Sequence, residues 1–313
     1  MPRLPDLVAG DCRLTMAAYA LAGELFDSCI TDPPYHLKSM VKRFGKAGSA
    51  PPKHGRDGSY ARLSKGFQGQ TWDGGDIAFD PDTWRAVSDL LHPGGYVLAF
   101  GAPRTYHRLA CAIEDAGFEV FDSVLWLFGQ GWPKRKGLLK PAYEPICVGR
   151  KAGKITPLNT EACRVPSLGK PRWPANVMHD GSDDVLSVFP DSKGQLGRAR
   201  TDKAPQPAGV YGARNSYTEN PEPREDRGSA ARFFWQPKAT AADRAGSGHP
   251  TIKPVSLMRE LCRLATPPGG RILDPFAGSG TTLQAAYEEG FDAVGCEQEP
   301  EYVLDIMNRL AAL

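Results

Sequence analysis

The tetrapeptide Asp32-Pro33-Pro34-Tyr35 combines a carboxylate and an aromatic ring in a stiff loop. It follows the apolar-rich run 26–31, which is typical of a strand, and its two prolines hold the backbone extended. Asp32 and the carbonyl of Pro33 could each accept a hydrogen bond from one exocyclic amine and so expose its lone pair. Tyr35 offers a face on which an extruded base could stack. A proline-rich turn with an incidental Asp is the alternative.

A second motif, Asp274 to Thr282, is a glycine turn at the end of the strand-like run 271–274. Its glycines would let the backbone approach a ligand closely, and Glu297 ends the next strand, where an acid commonly accepts ribose hydroxyls. A phosphate-cradling loop would need a lysine after Gly280, and a dinucleotide site would prefer glycine where Leu283 stands. What remains is a nucleoside ligand without phosphate, which fits S-adenosylmethionine. A purely structural turn is the alternative.

Together the two motifs resemble the β-type, permuted amino-methyltransferases of DNA, which occur in phages and in restriction–modification systems. In that family the catalytic tetrad precedes the recognition region and the glycine motif follows it. Here Asp32 and Asp274 lie in that order, 242 positions apart (274 − 32). Two more stretches are similar to family elements. Gly10-Asp11 matches one that contacts the adenine end of the cofactor, and the run from His249 to Pro254 matches one that closes over its methionine end.

The resemblance implies a methyltransferase that uses S-adenosylmethionine and acts on double-stranded DNA, with the target base flipped out of the helix. The catalytic residues it implies are Asp32, Pro33, Pro34 and Tyr35. The cofactor-binding residues it implies are Asp11, Asp274, Phe276, Gly278, Gly280, Thr281, Thr282, Glu297, His249, Thr251 and Lys253. A homodimer and a cognate restriction endonuclease are further partners that the resemblance suggests.

The acceptor is interpreted as adenine N6, because the family's cytosine-N4 enzymes more often carry Ser where this chain has Asp32. Cytosine N4 is the alternative, since the amine chemistry is nearly the same. Methylation of a protein glutamine would favour Asn at this position, and cytosine-C5 enzymes use a Pro-Cys nucleophile that this sequence lacks. A catalytically silent DNA-binding or nucleoside-binding module is disfavoured because both motifs are intact.

Basic residues cluster between 131 and 175, where ten Lys and Arg face two Glu. The local charge is therefore +8 (10 − 2), against +2 for the whole chain. Duplex DNA carries about one phosphate charge per ~1.7 Å of axis, so this segment is a candidate electrostatic footprint. A solvated basic loop is the alternative. The candidate phosphate contacts are Lys134, Arg135, Lys136 and Arg172.

The elements that must position these residues alternate between strand and helix at both ends of the chain. Strand-like runs occur at 26–31, 96–100, 271–274 and 293–297. With the resemblance, they predict an α/β class I methyltransferase fold: a doubly wound, Rossmann-like, permuted sheet. The predicted organisation is a catalytic half at 1–128, an inserted, irregular target-recognition region at 129–248, and a cofactor-binding half at 249–313.

Composition favours a soluble protein of the cytoplasm, in a bacterial or phage-infected cell. The 313 residues are 41% hydrophobic and 24% charged, and no run approaches the ~18 apolar residues of a membrane span. The first residues lack the apolar core of a secretory signal. Seven scattered cysteines without a Cys-x-x-Cys pair argue against disulfides and structural zinc, and the histidines show no ligand spacing, so we expect no metal.

Overall fold

The computed structural model describes residues 3–35, 76–131, 133, 137–167, 171–192, 227–237, 240–244, 246–249 and 251–313. Its strands are β1 (Asp6–Ala9), β2 (Phe26–Thr31), β3 (Leu91–Phe100), β4 (Phe118–Leu127), β5 (Tyr143–Lys151), β6 (Val177–His179), β7 (Asp191–Ser192), β8 (Gly228–Ser229), β9 (Arg271–Asp274) and β10 (Asp292–Glu297). Its α-helices are α1 (Cys12–Leu21), α2 (Pro81–Leu90), α3 (Tyr106–Asp115), α4 (Asp183–Leu186), α5 (Val255–Ala265), α6 (Thr281–Glu289) and α7 (Pro300–Ala311). None of these helices is long and apolar enough to cross a membrane.

Eight strands form one sheet in the order β1-β10-β9-β2-β3-β5-β4-β6. Among the described strands of this sheet, β5 runs antiparallel to both its neighbours, and the other pairs are parallel. β7 and β8 form a separate two-stranded ribbon. A mostly parallel sheet whose strands alternate with helices is the α/β arrangement that the sequence predicts.

The sheet brings the two ends of the chain together. β9, near the carboxyl terminus, pairs with β2, near the amino terminus, through Ser28 opposite Ile272 and Cys29 opposite Leu273. Because these strands are parallel, their carboxyl ends meet at one edge of the sheet, which is where open α/β sheets bind ligands. The loop at Asp32 and the glycine turn therefore begin side by side.

Helices cover both faces of the sheet because strand residues alternate between two apolar clusters. In β3, Leu98 packs in the cluster that contains Leu257 of α5, and Val97 packs in the cluster that contains Trp84 of α2. All four side chains are fully buried. Burial of such a side chain contributes about 1.5–3 kcal/mol, so the two clusters hold the strand ends in place from both sides.

The start of α2 shows how local sequence fixes an element. Asp80 accepts a hydrogen bond from the backbone N–H of Asp82 over 3.0 Å, which caps the helix, and Pro81 occupies the first turn. Trp84 and Val87 then fall on the same face, and both are buried. The helix is therefore specified by its cap and by its apolar spacing.

The predicted recognition region at 129–248 contributes two strands to the main sheet. β5 pairs with both β3 and β4 along most of its length, and β6 extends the sheet beyond β4. We expected little regular structure here because hydrophobic periodicity is weak. The structure differs because Ile146, Cys147 and Val148 are completely buried between two neighbouring strands, and burial outweighs the weak local signal. The boundaries at 128 and 248 stay predictions.

Candidate active site

A cleft of about 1480 Å³ opens where β2 and β9 end. Asp32, Pro33, Pro34 and Tyr35 line it, as do all the predicted cofactor-binding residues except Gly280. Three aromatic side chains from the middle of the chain, those of Trp126, Phe128 and Tyr143, also contribute to its walls. The cleft is therefore built from all three predicted parts of the chain.

The two sequence motifs are joined by a buried hydrogen bond. The hydroxyl of Thr31, the last residue of β2, donates to Oδ1 of Asp274 over 2.6 Å, and these residues are 243 positions apart. Because Thr31 immediately precedes Asp32, this bond fixes the start of the tetrapeptide loop against the start of the glycine turn. The two motifs form one site.

The Asp32 carboxylate accepts hydrogen bonds from two side chains. Tyr35 Oη donates to its Oδ1 over 2.7 Å, and Lys253 Nζ donates to its Oδ2 over 2.6 Å. The Asp32 side chain is 22% exposed, so it can still be reached from the cleft. Pro33 and Pro34 restrict the backbone between the carboxylate and the ring, which keeps the two in this relation.

Lys253 and Glu144 extend this pair into an ionic cluster. Lys253 Nζ lies 3.1 Å from Glu144 Oε2 and 3.2 Å from Tyr35 Oη, and the Lys253 side chain is 5% exposed. Burial alone would lower the pKa of this amine, but the carboxylates of Asp32 and Glu144 outweigh it and raise the pKa above its ordinary value. Burial, with the same two carboxylates, also raises the pKa of Tyr35. Lys253 is therefore a cation and Tyr35 a neutral donor.

Asp274 is the most deeply buried carboxylate of the cleft, with 1% of its surface exposed. Its Oδ1 also accepts the backbone N–H of Phe276 over 3.1 Å. Burial raises its pKa to about 6, although hydrogen bonds from Thr282 and Thr31 act in the opposite direction. A buried carboxylate in this position suits an amino or cationic group of a ligand.

Glu297 ends β10 and holds the glycine turn through the backbone. Its Oε2 accepts the N–H of Gly278 and its Oε1 accepts the N–H of Glu299, each over 2.8 Å. The residue is 9% exposed, and burial raises its pKa to about 7. Each carboxylate oxygen has a second lone pair, so Glu297 can still accept a hydroxyl from a ligand in the cleft.

The glycine turn needs its glycines for two reasons. Gly278 and Gly280 have φ values of +54° and +76°, a region that side chains other than glycine's rarely adopt. A Cβ on Gly278 would also lie 3.2 Å from Nε2 of His249. His249 is buried and packs edge-on against Tyr302 at 4.5 Å between ring centroids, and burial lowers its pKa, which favours the neutral ring.

The remaining predicted cofactor residues lie around the same cleft. Asp11 caps α1 and binds the Arg13 side chain over 2.6 Å, and this contact lowers the pKa of the carboxyl. Thr281 and Thr282 are buried at the start of α6. Phe276 and Thr251 are partly buried. Their roles toward a cofactor stay predictions.

Of the four predicted phosphate contacts, Arg172 lies within the described residues. Lys134, Arg135 and Lys136 lie outside the described residues. Arg172 is partly buried, its backbone pairs with Val165, and its guanidinium carbon lies 4.4 Å from the centroid of the Phe233 ring. Its role at DNA stays a prediction.

Sequence reasoning missed two residues of the site, Thr31 and Glu144. Thr31 ends the β2 run and gave no signal separate from the motif that follows it. Glu144 had a usable signal, because it is one of two acids in a strongly basic segment and it begins the apolar run that becomes β5. The hydrophobic periodicity around Glu144 is weak, so the sequence did not predict that strand.

Comparison with known proteins identifies the family to which this chain belongs. The family model described as DNA methylase, of the N6/N4 type, matches residues 26–308. M2.DpnII of Streptococcus pneumoniae, a type II methyltransferase, is 34% identical over 229 residues, which are 73% of this chain and 65% of that protein. The methylase YubD of Escherichia coli strain K12 is 43% identical over 65 residues, 21% of this chain and 29% of that protein. The chain thus spans less than two thirds of either relative. The resemblance expected from the two motifs is confirmed.

Solved structures show the same fold. The M1.HpyAVI–SAM complex aligns with a TM-score of 0.54 and 18% identity, over 98% of this chain and 99% of that one. The PvuII DNA methyltransferase, described as cytosine-N4-specific, aligns with a TM-score of 0.56 and 16% identity, over 99% of this chain and 87% of that one. The predicted α/β class I fold is confirmed, and the predicted cofactor is the one named in the first complex.

Proposed function

The chain belongs to the N6/N4 family of DNA methylases, and we propose that it transfers a methyl group from S-adenosylmethionine to an exocyclic amine of a base in DNA. The observation that carries this proposal is the buried bond from Thr31 to Asp274. It joins the loop that would hold the amine to the turn that would hold the cofactor. A site with both parts in one cleft can transfer a group directly between two bound molecules.

The chemistry of the cleft fits S-adenosylmethionine. Asp274 would take the amino group of the methionine part, and Glu297 would accept ribose hydroxyls, as the ends of neighbouring strands commonly do. The positive φ of Gly278, and its closeness to His249, show a turn without room for a side chain. When bound, S-adenosylmethionine supplies an electrophilic methyl carbon and retains the electron pair of the broken carbon–sulfur bond.

The residues of the tetrapeptide would then act on the acceptor. The Asp32 carboxylate and the Pro33 carbonyl accept hydrogen bonds from the amine, which draws its lone pair out of conjugation with the ring. As the nitrogen gains a fourth bond it becomes positively charged, and the negative Asp32 carboxylate stabilises that charge until a proton leaves to water. Tyr35 lies beside Asp32 and stacks on the base. This sequence of events needs no covalent intermediate with the protein.

Adenine N6 is the proposed acceptor, because Asp rather than Ser occupies position 32. Cytosine N4 is the second candidate, and it is favoured by the fold similarity to PvuII methyltransferase, which is described as cytosine-N4-specific. In both cases the amine must leave the base stack to reach the cleft, which costs a few kcal/mol of unstacking. Stacking on Tyr35 and phosphate contacts from the basic segment 131–175 would offset that cost.

The experiment that tests this proposal combines methylation with identification of the product. Purified protein and S-adenosylmethionine are incubated with unmethylated duplex DNA of mixed sequence, and the digested nucleosides are analysed by mass spectrometry. We expect N6-methyladenine, absent when S-adenosylmethionine is omitted. N4-methylcytosine instead would establish the second candidate. Neither product, from protein shown to bind S-adenosylmethionine, would favour the silent-module alternative.

Two further partners stay predictions. The resemblance suggests that the chain forms a homodimer. It also suggests that a restriction endonuclease recognises the same DNA sequence as the proposed methyltransferase. Light scattering of the purified protein measures its mass against the 33.9 kDa of one chain. Protection of methylated DNA from cleavage tests whether an endonuclease shares the target sequence.

A further inference from the structure

Glu144 is a carboxylate near Asp32, among the residues that the structure describes, that the mechanism above does not use. Its Oε2 lies 3.3 Å from Tyr35 Oη, as a longer second acceptor for the one proton that this hydroxyl directs at Asp32, and 3.1 Å from Lys253 Nζ. Its side chain is 21% exposed, and it lines the same cleft as Asp32. Three segments far apart in sequence, at 32, 144 and 253, therefore place two acids around one buried cation.

The charges of this cluster explain why a second acid is useful. Lys253 lies 2.6 Å from the carboxylate that must stabilise positive charge on the amine, so its own charge opposes that task. Asp32 and Lys253 alone sum to zero, whereas Asp32, Lys253 and Glu144 sum to −1. His249, which is buried with its pKa lowered, adds no charge to this sum. Glu144 thus leaves the cluster with one net negative charge.

We propose that Glu144 is a positioning residue for methyl transfer, which neutralises Lys253 and orients Tyr35 so that Asp32 acts as a full negative charge toward the amine. This inference rests on the proposed function. It assigns to the Lys253 ammonium the role of a bridge, with Asp32 Oδ2 and Glu144 Oε2 as its two anionic acceptors. The bridge holds β5 and the loop before α5 against the tetrapeptide.

The geometry separates this role from a simple contact with substrate. Glu144 reaches Asp32 through two intermediaries, Lys253 Nζ and Tyr35 Oη, and both are within hydrogen-bond distance of Asp32. Loss of its charge should therefore act on the step in which the amine becomes positive. It should act much less on the binding of DNA, which depends on stacking and on phosphate contacts.

The test is a charge-compensation series at saturating S-adenosylmethionine. Glu144→Gln removes one negative charge with little change of shape, and we expect kcat to fall about 100-fold while KM for DNA changes less than about threefold. Glu144→Gln combined with Lys253→Met restores the net charge of −1 but removes one of the two anchors of Asp32, so we expect it to recover only part of the lost kcat, at least about threefold. Glu119→Gln, on an exposed acid paired with Arg150, is the matched control and should keep wild-type kinetics.

The contacts of the Lys253 ammonium can also be measured in the protein without cofactor or DNA. In ¹⁵N-lysine-labelled protein, the Nζ ammonium of Lys253 should give a resonance protected from exchange, since it is buried with three acceptors within 3.2 Å. Glu144→Gln should shift this resonance and speed its exchange, and Glu144→Asp should restore part of both. Glu119→Gln should leave the resonance unchanged.

Several results would overturn the inference. They are wild-type kcat in Glu144→Gln, a loss confined to KM, a double variant no faster than Glu144→Gln, or an unshifted Lys253 resonance. If Glu144→Gln does not fold, as judged by its melting curve, Glu144→Asp decides instead, because its shorter side chain draws the carboxylate away from Lys253, and wild-type kcat in that variant would overturn the inference. If the wild-type protein methylates no DNA, the proposed function fails, while the resonance still reports whether the bridge exists.

Discussion

Each oxygen of the Asp32 carboxylate accepts from a different side chain, Oδ1 from Tyr35 and Oδ2 from Lys253. Both contacts hold the carboxylate still, so that in the proposed reaction its charge would face the amine without first having to reorient. The adjacent Thr31 hydroxyl binds Asp274 rather than Asp32. The proposed acceptor side and the proposed cofactor side of the cleft are therefore neighbours, and each is held by its own hydrogen bonds.

Asp32→Ala should therefore abolish transfer and spare cofactor binding. We expect kcat to fall by about 1000-fold, because the acceptor and the charge that stabilise the amine are both lost. The dissociation constant of S-adenosylmethionine should stay within about threefold, since Asp274 keeps its contact with Thr31. Radiolabelled transfer and calorimetry give the two values. Asp82→Ala, at a side chain 80% exposed on α2, is the control. Full transfer by Asp32→Ala would contradict the proposed mechanism.

The carboxyl of Glu297 predicts an unusual dependence of stability on pH. Burial raises its pKa to about 7, so the folded state binds the proton more tightly than the unfolded state, whose carboxyl titrates near 4.5. The stability from this group is present below pH 4.5 and is lost as pH rises through 7. Between pH 5.5 and 8 the loss amounts to about 2 kcal/mol.

Denaturant unfolding at these two pH values measures the effect. Glu297→Gln cannot titrate, so the change in unfolding free energy between pH 5.5 and 8 should be about 2 kcal/mol more favourable in the variant than in the wild type. Cofactor binding should show the opposite trend, weakening below pH 7 in the wild type because a protonated Glu297 is a poorer acceptor for ribose hydroxyls. Equal pH slopes for both proteins would show that Glu297 titrates normally.

At the scale of elements, the glycine turn between β9 and α6 can be tested with a matched pair of glycines. Gly278 and Gly290 both have left-handed backbones, with φ values of +54° and +79°. A Cβ on Gly278 would meet His249, whereas a Cβ on Gly290 would meet nothing within 4 Å. Gly290 follows α6, outside the lining of the cleft.

Gly278→Ala and Gly290→Ala should each lower stability by about 1–2 kcal/mol, because both impose the same left-handed strain. The affinity for S-adenosylmethionine should fall at least about tenfold in Gly278→Ala and stay unchanged in Gly290→Ala, since Gly278 lines the cleft and binds Glu297. Calorimetry and thermal unfolding supply the two measurements. Equal affinities of the two variants for S-adenosylmethionine would contradict the proposal that the glycine turn binds the cofactor.

The elements also show where sequence reasoning succeeds. The strands β2 and β9 and the start of α6 were predictable, because each combines an apolar run with proline or glycine at its end. β5 was not, because Pro145 and the surrounding basic residues resemble a loop. Its stability comes from pairing with β3 and β4, which local sequence does not encode. Glu144 was hidden for the same reason, since a side chain's partner across a sheet depends on register.

At the scale of the whole molecule, the strand-like runs together with the family resemblance predicted the fold, in which the sheet joins strands from both chain ends. The buried contacts between distant segments, such as Thr31 with Asp274 and Lys253 with Glu144, depend on tertiary packing and were not predictable. The same packing changes the expected footprint on DNA. A cation that is paired within the protein contributes less to phosphate binding than the local charge of the basic segment implies.

Of the six basic residues that the structure describes between 131 and 175, five have partners within the chain. Arg150 pairs with Glu119, Arg164 with Glu161, and Lys140 lies 3.5 Å from Asp184. The amine of Lys151 donates to two backbone carbonyls, and Arg172 stacks on Phe233. The sixth is Lys154, and the remaining basic residues of the segment, Lys134, Arg135, Lys136 and Lys170, lie outside the described residues. We expect phosphate contacts from Lys154 and these four residues.

The salt dependence of DNA binding distinguishes five phosphate contacts from ten. Each phosphate contact contributes about −0.9 to the slope of log affinity against log salt, so five contacts predict a slope of about −4.5, and ten predict about −9. We expect the smaller slope, and the triple variant Lys134→Ala, Arg135→Ala, Lys136→Ala should reduce its magnitude by about 2.7. Arg3→Ala with Arg85→Ala, which removes two exposed cations elsewhere, is the control and should leave it unchanged. A slope near zero would show that the basic segment makes no phosphate contacts, and one near −9 would mean that the internal pairs open on binding.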